Sequence, residues 1–148
     1  MNRDQKRALF SLLIWSIVLV AFIPLFFIDG GADNWVPGSM RVIISSSFII
    51  TGFILFFTML ALTKKKPGVI ERDERDILIG RKASEITLTI VTVYVFLTCI
   101  ILYFLYKEIN SVPIGWMWFL GCTCLFVGYI TSSAISLVLY SSKVKSNE

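Results

Sequence analysis

The sequence predicts an all-α integral membrane protein, a four-helix transmembrane bundle with both termini in the cytoplasm. Three observations carry this expectation. Four apolar runs of at least about 20 residues interrupt the chain, and about 20 residues cross a bilayer as a helix. No Asp, Glu, Lys or Arg falls inside any of them. Twelve of the 14 lysines and arginines lie in segments that four crossings place on one side.

The composition agrees. Of 148 residues, 56% are hydrophobic and 16% charged, with a mean hydropathy of +0.79, whereas a soluble domain carries about 25% charged residues. That excludes a soluble globular domain, a disordered chain and a secreted disulfide scaffold. With no histidine and three scattered cysteines, the chain offers no metal-ligand spacing, and no cofactor is expected.

The spans follow in order. The first covers 8–28. The preceding MNRDQKR resembles the charged start of a signal peptide, but the apolar stretch is too long and no small-x-small cleavage site closes it. An uncleaved first helix is expected, kinked near its outer end by Pro24. The second span covers 42–62 and the third 86–105. At 1.5 Å per residue each gives about 30 Å, the thickness of the hydrocarbon core. The fourth, 114–138, is longer and should tilt or protrude. Backbone groups at that depth must bond within their own helix, and the alternation of a β-barrel is absent. Short connections make residues 1–148 a single transmembrane domain.

Short-loop lysines and arginines set orientation. Arg3, Lys6 and Arg7 precede the first span; Lys64, Lys65, Lys66, Arg72, Arg75, Arg81 and Lys82 lie between the second and third; Lys143 and Lys145 follow the fourth. Only Arg41 and Lys107 fall on the opposite side. Both termini and the 63–85 loop are therefore expected in the cytoplasm of a cell whose plasma membrane holds the bundle. Trp35, Trp116, Trp118, Tyr103 and Tyr106 gather near the outer boundary, as an aromatic belt would.

The 63–85 loop is the one stretch rich in charge. Lys64 to Lys66 suit a cytoplasmic helix end and an anionic lipid surface, and Pro67-Gly68 then breaks the helix. Acidic Glu71, Asp73, Glu74 and Asp76 precede Arg81 and Lys82, the order that complements a helix dipole. A helix is expected from about Asp73 straight into the third span, with Ile77 and Leu78 at the interface. As a functional surface, Glu71, Arg72, Asp73, Glu74, Arg75, Asp76, Arg81 and Lys82 are the candidates for docking a cytoplasmic protein partner. Orientation alone requires only the bases, and the simpler reading is a solvated linker.

The sequence D-E-R-D-x-x-I-G-R-K-A over 73–83 resembles the loop signature of a family of small bacterial and archaeal multi-pass membrane proteins of unknown function. The likeness is detailed over 69–106. It implies membership and four-span topology and no catalytic activity. Some members of that family are similar to membrane proteins paired with small helix-turn-helix regulators, which favours a docked partner.

From Glu85 at the cytoplasmic mouth of the third span, Glu85, Thr89, Thr92, Cys99, Tyr103 and Tyr106, with Phe96 between, recur at three- and four-residue steps on one helix face. The expected role is a packing face turned into the bundle; the alternative is a polar path for a transporter or channel-like subunit. Glu85 is expected to reach Arg81 or Lys82. A proton-driven pump is disfavoured, since the first span lacks a carboxylate. Cys124, Gly128, Ser132 and Ser136 recur at four-residue steps, the small-xxx-small pattern of close helix contact. Ser47 and Thr51 share that spacing on the second span, near Gly52. Whether such contacts lie within one chain or between copies of a homo-oligomer, the spacing leaves open. Cys122 and Cys124 point to different faces, so neither a C-x-x-C pair nor a metal clamp forms; a disulfide from Cys99 to either is geometrically allowed, and packing is their expected role. Bases interleaved with acids along a membrane do not suggest nucleic acid. The leading expectation is a non-enzymatic membrane protein that binds or regulates a partner through its charged loop.

Overall fold

The computed structural model describes residues 3–28, 31–35, 38–63, 74–109 and 111–144. Four long helices follow in sequence, α1 (Arg3–Phe27), α2 (Met40–Leu62), α3 (Glu74–Tyr106) and α4 (Ile114–Val144), with a single 3-10 turn at Gly31–Asn34 after α1. All four are long and apolar enough to cross a membrane. Each expected span lies within one helix apart from its outermost residue at Ile28. At about 1.5 Å per residue, α3 and α4 reach roughly 45–50 Å, so their ends project beyond a hydrocarbon core of about 30 Å. The expected helix from about Asp73 is present from Glu74, and half of the 63–85 loop is therefore helix. Pro24 lies inside α1, which continues to Phe27.

Each helix end has its own local cause. Ser39 accepts the Val42 N–H at 3.5 Å and caps α2. Thr63 closes α2, its N–H donating to Met59 O at 3.1 Å. Pro113 precedes α4, where its fixed φ and missing N–H suit a helix start.

α1 and α4 pack along each other and form the centre; α2 lies on α1, and α3 lies on α4. α2 and α3, neighbours in sequence, do not pack along one another. α1 turns Ser11, Trp15, Val18, Phe22 and Phe26 inward. Trp15, fully buried, stacks on Tyr129 of α4 at 4.7 Å and meets Phe53 of α2 edge-on at 5.0 Å. Phe22 and Phe26 continue the contact onto Phe119, Phe126 and Trp35. Outward faces are apolar as well, with Ile17, Val20, Ile54, Phe57, Leu88 and Phe104 among the exposed side chains. None of the most apolar stretch of α3 is buried. A chain whose outward faces are as apolar as its core is built for lipid rather than water.

The start of α1 and the end of α4 lie at the same end of the bundle as the α2–α3 junction. Arg7 bonds Thr63, Ser133 bonds Ser11, and Tyr140 bonds Asp76. At the other end Trp116 Nε1 donates to Tyr106 OH at 2.7 Å, and Arg41 donates to Ile28 O at 3.0 Å.

Two glycines set how closely elements approach. A Cβ on Gly52 would lie 3.2 Å from Val18 Cγ2 and 3.5 Å from the Trp15 ring. A Cβ on Gly115 would strike the Ala32 carbonyl oxygen and come within 2.7 Å of Trp35 Cβ, whereas one on Gly121 would meet open space. Backbone cannot rotate aside as a side chain can. Gly115→Ala is therefore expected to lower stability by about 1–3 kcal/mol, the usual cost of overpacking, and Gly121→Ala to leave it unchanged or slightly raised. Thermal unfolding of the two purified variants in one detergent checks this; equal melting temperatures would contradict the close contact.

Candidate functional site

Polar side chains from all four helices meet at the end where α1 starts and α4 ends. Arg7, four-fifths buried, donates from Nε to Thr63 Oγ1 at 2.8 Å and from Nη2 to Thr63 O at 2.7 Å. Its Nη1 lies 3.4 Å from Asp4 Oδ1. The guanidinium thus satisfies the last carbonyls of α2 and brings positive charge to the negative end of that helix dipole. Across the bundle, Tyr140 OH donates to Asp76 Oδ1 at 2.9 Å and joins α4 to α3. Between them Ser133 Oγ donates to Ser11 Oγ at 2.9 Å, a buried link between α4 and α1. Three hydrogen-bonded pairs therefore tie α2 to α1, α1 to α4 and α4 to α3.

These groups line a cleft of about 310 Å³ that occupies the gap between α2 and α3. Asp4, Arg7 and Ser11 come from α1, Asp76 from α3, and Ser132, Ser133, Ser136 and Tyr140 from α4; Phe56, Met59 and Tyr129 close the apolar side. The arrangement supplies two carboxylates, one guanidinium and several hydroxyls at a helix junction, where small-ligand sites form most often.

Sequence-based candidates are distributed differently from expectation. Glu71, Arg72 and Asp73 lie outside the described residues, as do the side chains of Glu74 and Arg75. Asp76 does not share the outward surface with Arg81 and Lys82: it turns into the cleft toward Tyr140. Arg81 and Lys82 are exposed, and Arg81 Nε meets Glu85 Oε1 at 3.1 Å one turn along, the pairing expected for Glu85.

The expectation of a packing stripe through Glu85, Thr89, Thr92, Cys99 and Tyr103 is overturned, because all five are exposed. The face of α3 that meets α4 runs through Ile79, Ala83, Thr87, Val91, Tyr94, Thr98 and Leu102. It is displaced by two residues, about 200° around the helix. Outward hydroxyls cost little here, since Thr89 bonds Glu85 O at 3.1 Å and Thr92 bonds Leu88 O at 2.8 Å within their own helix. Tyr106 is the exception, held by Trp116.

The small-residue stripe of α4 lies against α3 in the same chain. A Cβ on Gly128 would meet Val91 Cγ2 at 3.9 Å, and Ser132 and Ser136 reach the cleft beside Ile79 and Gly80. Cys99, Cys122 and Cys124 are all free thiols, so the disulfide that geometry allowed is not formed.

A family model described as Predicted membrane protein (DUF2178) matches residues 4–144. The chain belongs to that family. The match extends from α1 to α4, beyond the 69–106 stretch that carried the resemblance. The chain matches no curated protein and no solved structure.

Sequence reasoning missed Asp4, Arg7, Ser11, Ser133 and Tyr140 as site residues. A signal was there for three of them. Arg7, Ser11 and Trp15 step by four residues along α1, and Tyr140 extends the 124–136 small-residue stripe by one further step.

Replacing Arg7 should be costly, because it leaves Thr63 O and Asp4 without a buried donor. Arg7→Gln is expected to destabilise the bundle by about 2 kcal/mol, the range for hydrogen bonds to charged groups. Arg81→Gln removes an exposed pair and should change stability by under about 0.5 kcal/mol. Reversible unfolding in mixed micelles compares them, and equal losses would refute the tie at Thr63.

Proposed function

We propose that this protein is a non-enzymatic plasma-membrane scaffold that docks a cytoplasmic protein partner on the outward face of the projecting start of α3. One observation carries the reading. The charged side chains of that face are not used to hold the bundle together. Asp76, Ile79 and Ala83 face inward, whereas Arg81 pairs only one turn along its own helix and Lys82 is exposed. A rigid helix that presents mixed charge beyond the membrane gives a partner register and orientation at little ordering cost. The alternative, a transport path along Glu85, Thr89, Thr92, Cys99 and Tyr103, gains no support from a stripe that faces away from the bundle. Aromatic rings of Trp15, Phe22, Phe26, Phe119 and Phe126 fill the space between α1 and α4.

The orientation within the reading rests on charge. Twelve of 14 lysines and arginines flank the end that carries Arg7, Thr63, Asp76 and Tyr140, so that end is assigned to the cytoplasm. A cysteine placed at Ser142 in a Cys-free background should react with a membrane-impermeant maleimide only after cells are opened, and one at Ser111 before. The reverse pattern would invert the topology and remove the proposed surface from the cytoplasm.

Docking itself is tested by crosslinking in native membranes with the full chain as bait, comparing wild type with Arg72→Glu, Arg75→Glu, Arg81→Glu and Lys82→Glu combined. Crosslinks from one cytoplasmic protein to 69–85, lost in the reversed variant, are expected. Crosslinks to a second copy alone, or a partner retained in full by the reversed variant, would overturn the reading.

A further inference from the structure

The cleft at the terminal end poses a question separate from docking, and its chemistry selects a ligand. Arg7 is the only cation among the described residues lining it, and each of its three nitrogens already has a partner. Nε and Nη2 bond Thr63, and Nη1 faces Asp4. An anion entering the cleft would meet a guanidinium already turned to Thr63 and Asp4, with two carboxylates against one positive charge among the described lining residues. What the walls offer instead is acceptors. Asp76 uses Oδ1 for Tyr140, and a carboxylate has about four lone-pair sites to give. Ser136 sends its proton to Ser132 O at 2.8 Å within α4, which leaves the lone pairs of its own Oγ facing outward from that bond.

The rest of the lining is of another kind, with Phe56 and Met59 on α2 and Tyr129 on α4, one turn from Ser132 and Ser133. Phe56, Met59 and Tyr129 present rings and a thioether to the same space. A carboxylate and hydroxyls together with aromatic side chains in one lining suit an ammonium ion, attracted by the charge and by the ring quadrupoles. Hydroxyl and carboxylate acceptors favour a group with several N–H donors over a quaternary one, which has none. The volume of about 310 Å³ takes a small amine with part of its stem. The cleft lies where α2 and α3 separate, at the end of the bundle that carries the charged helix termini. That is the depth of lipid headgroups.

We infer that this cleft is a binding site for a primary ammonium group, with Asp76 as its counter-ion and the Ser132–Ser136 edge of α4 as further acceptors. Two sources carry that group: a free alkylamine, and the headgroup of phosphatidylethanolamine reaching in from the bilayer.

The test uses the full chain. Purified in detergent, it is titrated with ethylammonium, tetramethylammonium and acetate while unfolding temperature and Trp fluorescence are followed. In parallel it is placed in nanodiscs of phosphatidylethanolamine with phosphatidylcholine, and retained lipid is read by native mass spectrometry. Ethylammonium is expected to give a saturable rise in unfolding temperature that the other two do not. A lipid source would appear as retention of phosphatidylethanolamine over phosphatidylcholine, and a free-amine source as the ethylammonium response without that retention. Asp76→Asn keeps an acceptor for Tyr140 and removes the charge, and should weaken the response about tenfold or more. Ser136→Val, at a site where loss of fold is not expected, should weaken it less. Arg81→Gln, outside the cleft, should leave it unchanged. The inference is overturned if neither ethylammonium nor phosphatidylethanolamine is preferred. It is equally overturned if Asp76→Asn and Ser136→Val, melting like the wild type, bind as the wild type does.

Discussion

Helices in a bilayer gain nothing from the hydrophobic effect by touching one another, since lipid tails are as apolar as leucine. Close packing and hydrogen bonds must do the work, and in this chain the packing converges on Trp15. Its ring is fully buried, stacked on Tyr129 and edge-on to Phe53, and its indole N–H has no partner. Ring contact alone therefore holds it. Gly52 stands where α2 comes closest to Val18 and that ring, and a Cβ there would crowd Val18 Cγ2 at 3.2 Å. From this junction α1 follows α4 outward through Phe22, Phe26, Phe119 and Phe126, and inward to the Ser11–Ser133 bond. The order α2–α1–α4–α3 follows, and so does the gap between α2 and α3.

The two ends of the bundle solve different problems. At the end away from the start of α1, the turn Gly31–Asn34 folds back so that Ala32 and Trp35 are buried against the start of α4. Only a glycine at 115 admits that backbone, and the rings of Phe26, Trp35 and Trp116 close over it. Packing there is mainly ring on ring, with Trp116 bonded to Tyr106 and Trp118 to Ser45 at its margin. At the other end the helices are linked by polar pairs, which need separation and direction rather than surface contact. A polar tie leaves space beside it, and the cleft is that space.

What could be read in the sequence depended on contrast. Span number and position were legible because 20-residue apolar runs stand out against charged loops. The start of α3 was legible because its acids precede its bases. Inside the spans the contrast vanishes: Ser11, Trp15, Val18, Phe22 and Phe26 form the buried face of α1, yet Ile17 and Val20 on the opposite face are as apolar. On α3 both faces carry threonine and tyrosine, and periodicity chose the one that looks outward. The informative difference was size and partner. Ala83 is the small residue of the inner face, and Tyr94 finds Thr123 at 2.5 Å while Thr89 and Thr92 bond their own helix. Asp76 was grouped with the loop charges because its neighbours in sequence are charged, although seven residues on, at Ala83, the same face is fully buried.

α3 then stands out as the element through which the two proposed sites would communicate. It packs along α4 alone. At its projecting end Tyr140 of α4 bonds Asp76. Asp76 and Arg81 are five residues apart on one helix, about 140° around its axis, so the cleft face and the docking face are nearly opposite sides of one rod. A partner that drew that rod outward would stretch the Tyr140–Asp76 bond and widen the cleft. An ammonium group held between Asp76 and α4 would resist the same movement. Each ligand would then alter the affinity of the other by the same factor, as linkage requires of any two sites that bias one equilibrium. The coupling would act without passing through Trp15, because the aromatic junction fixes α1, α2 and α4 and leaves α3 as the one helix outside it.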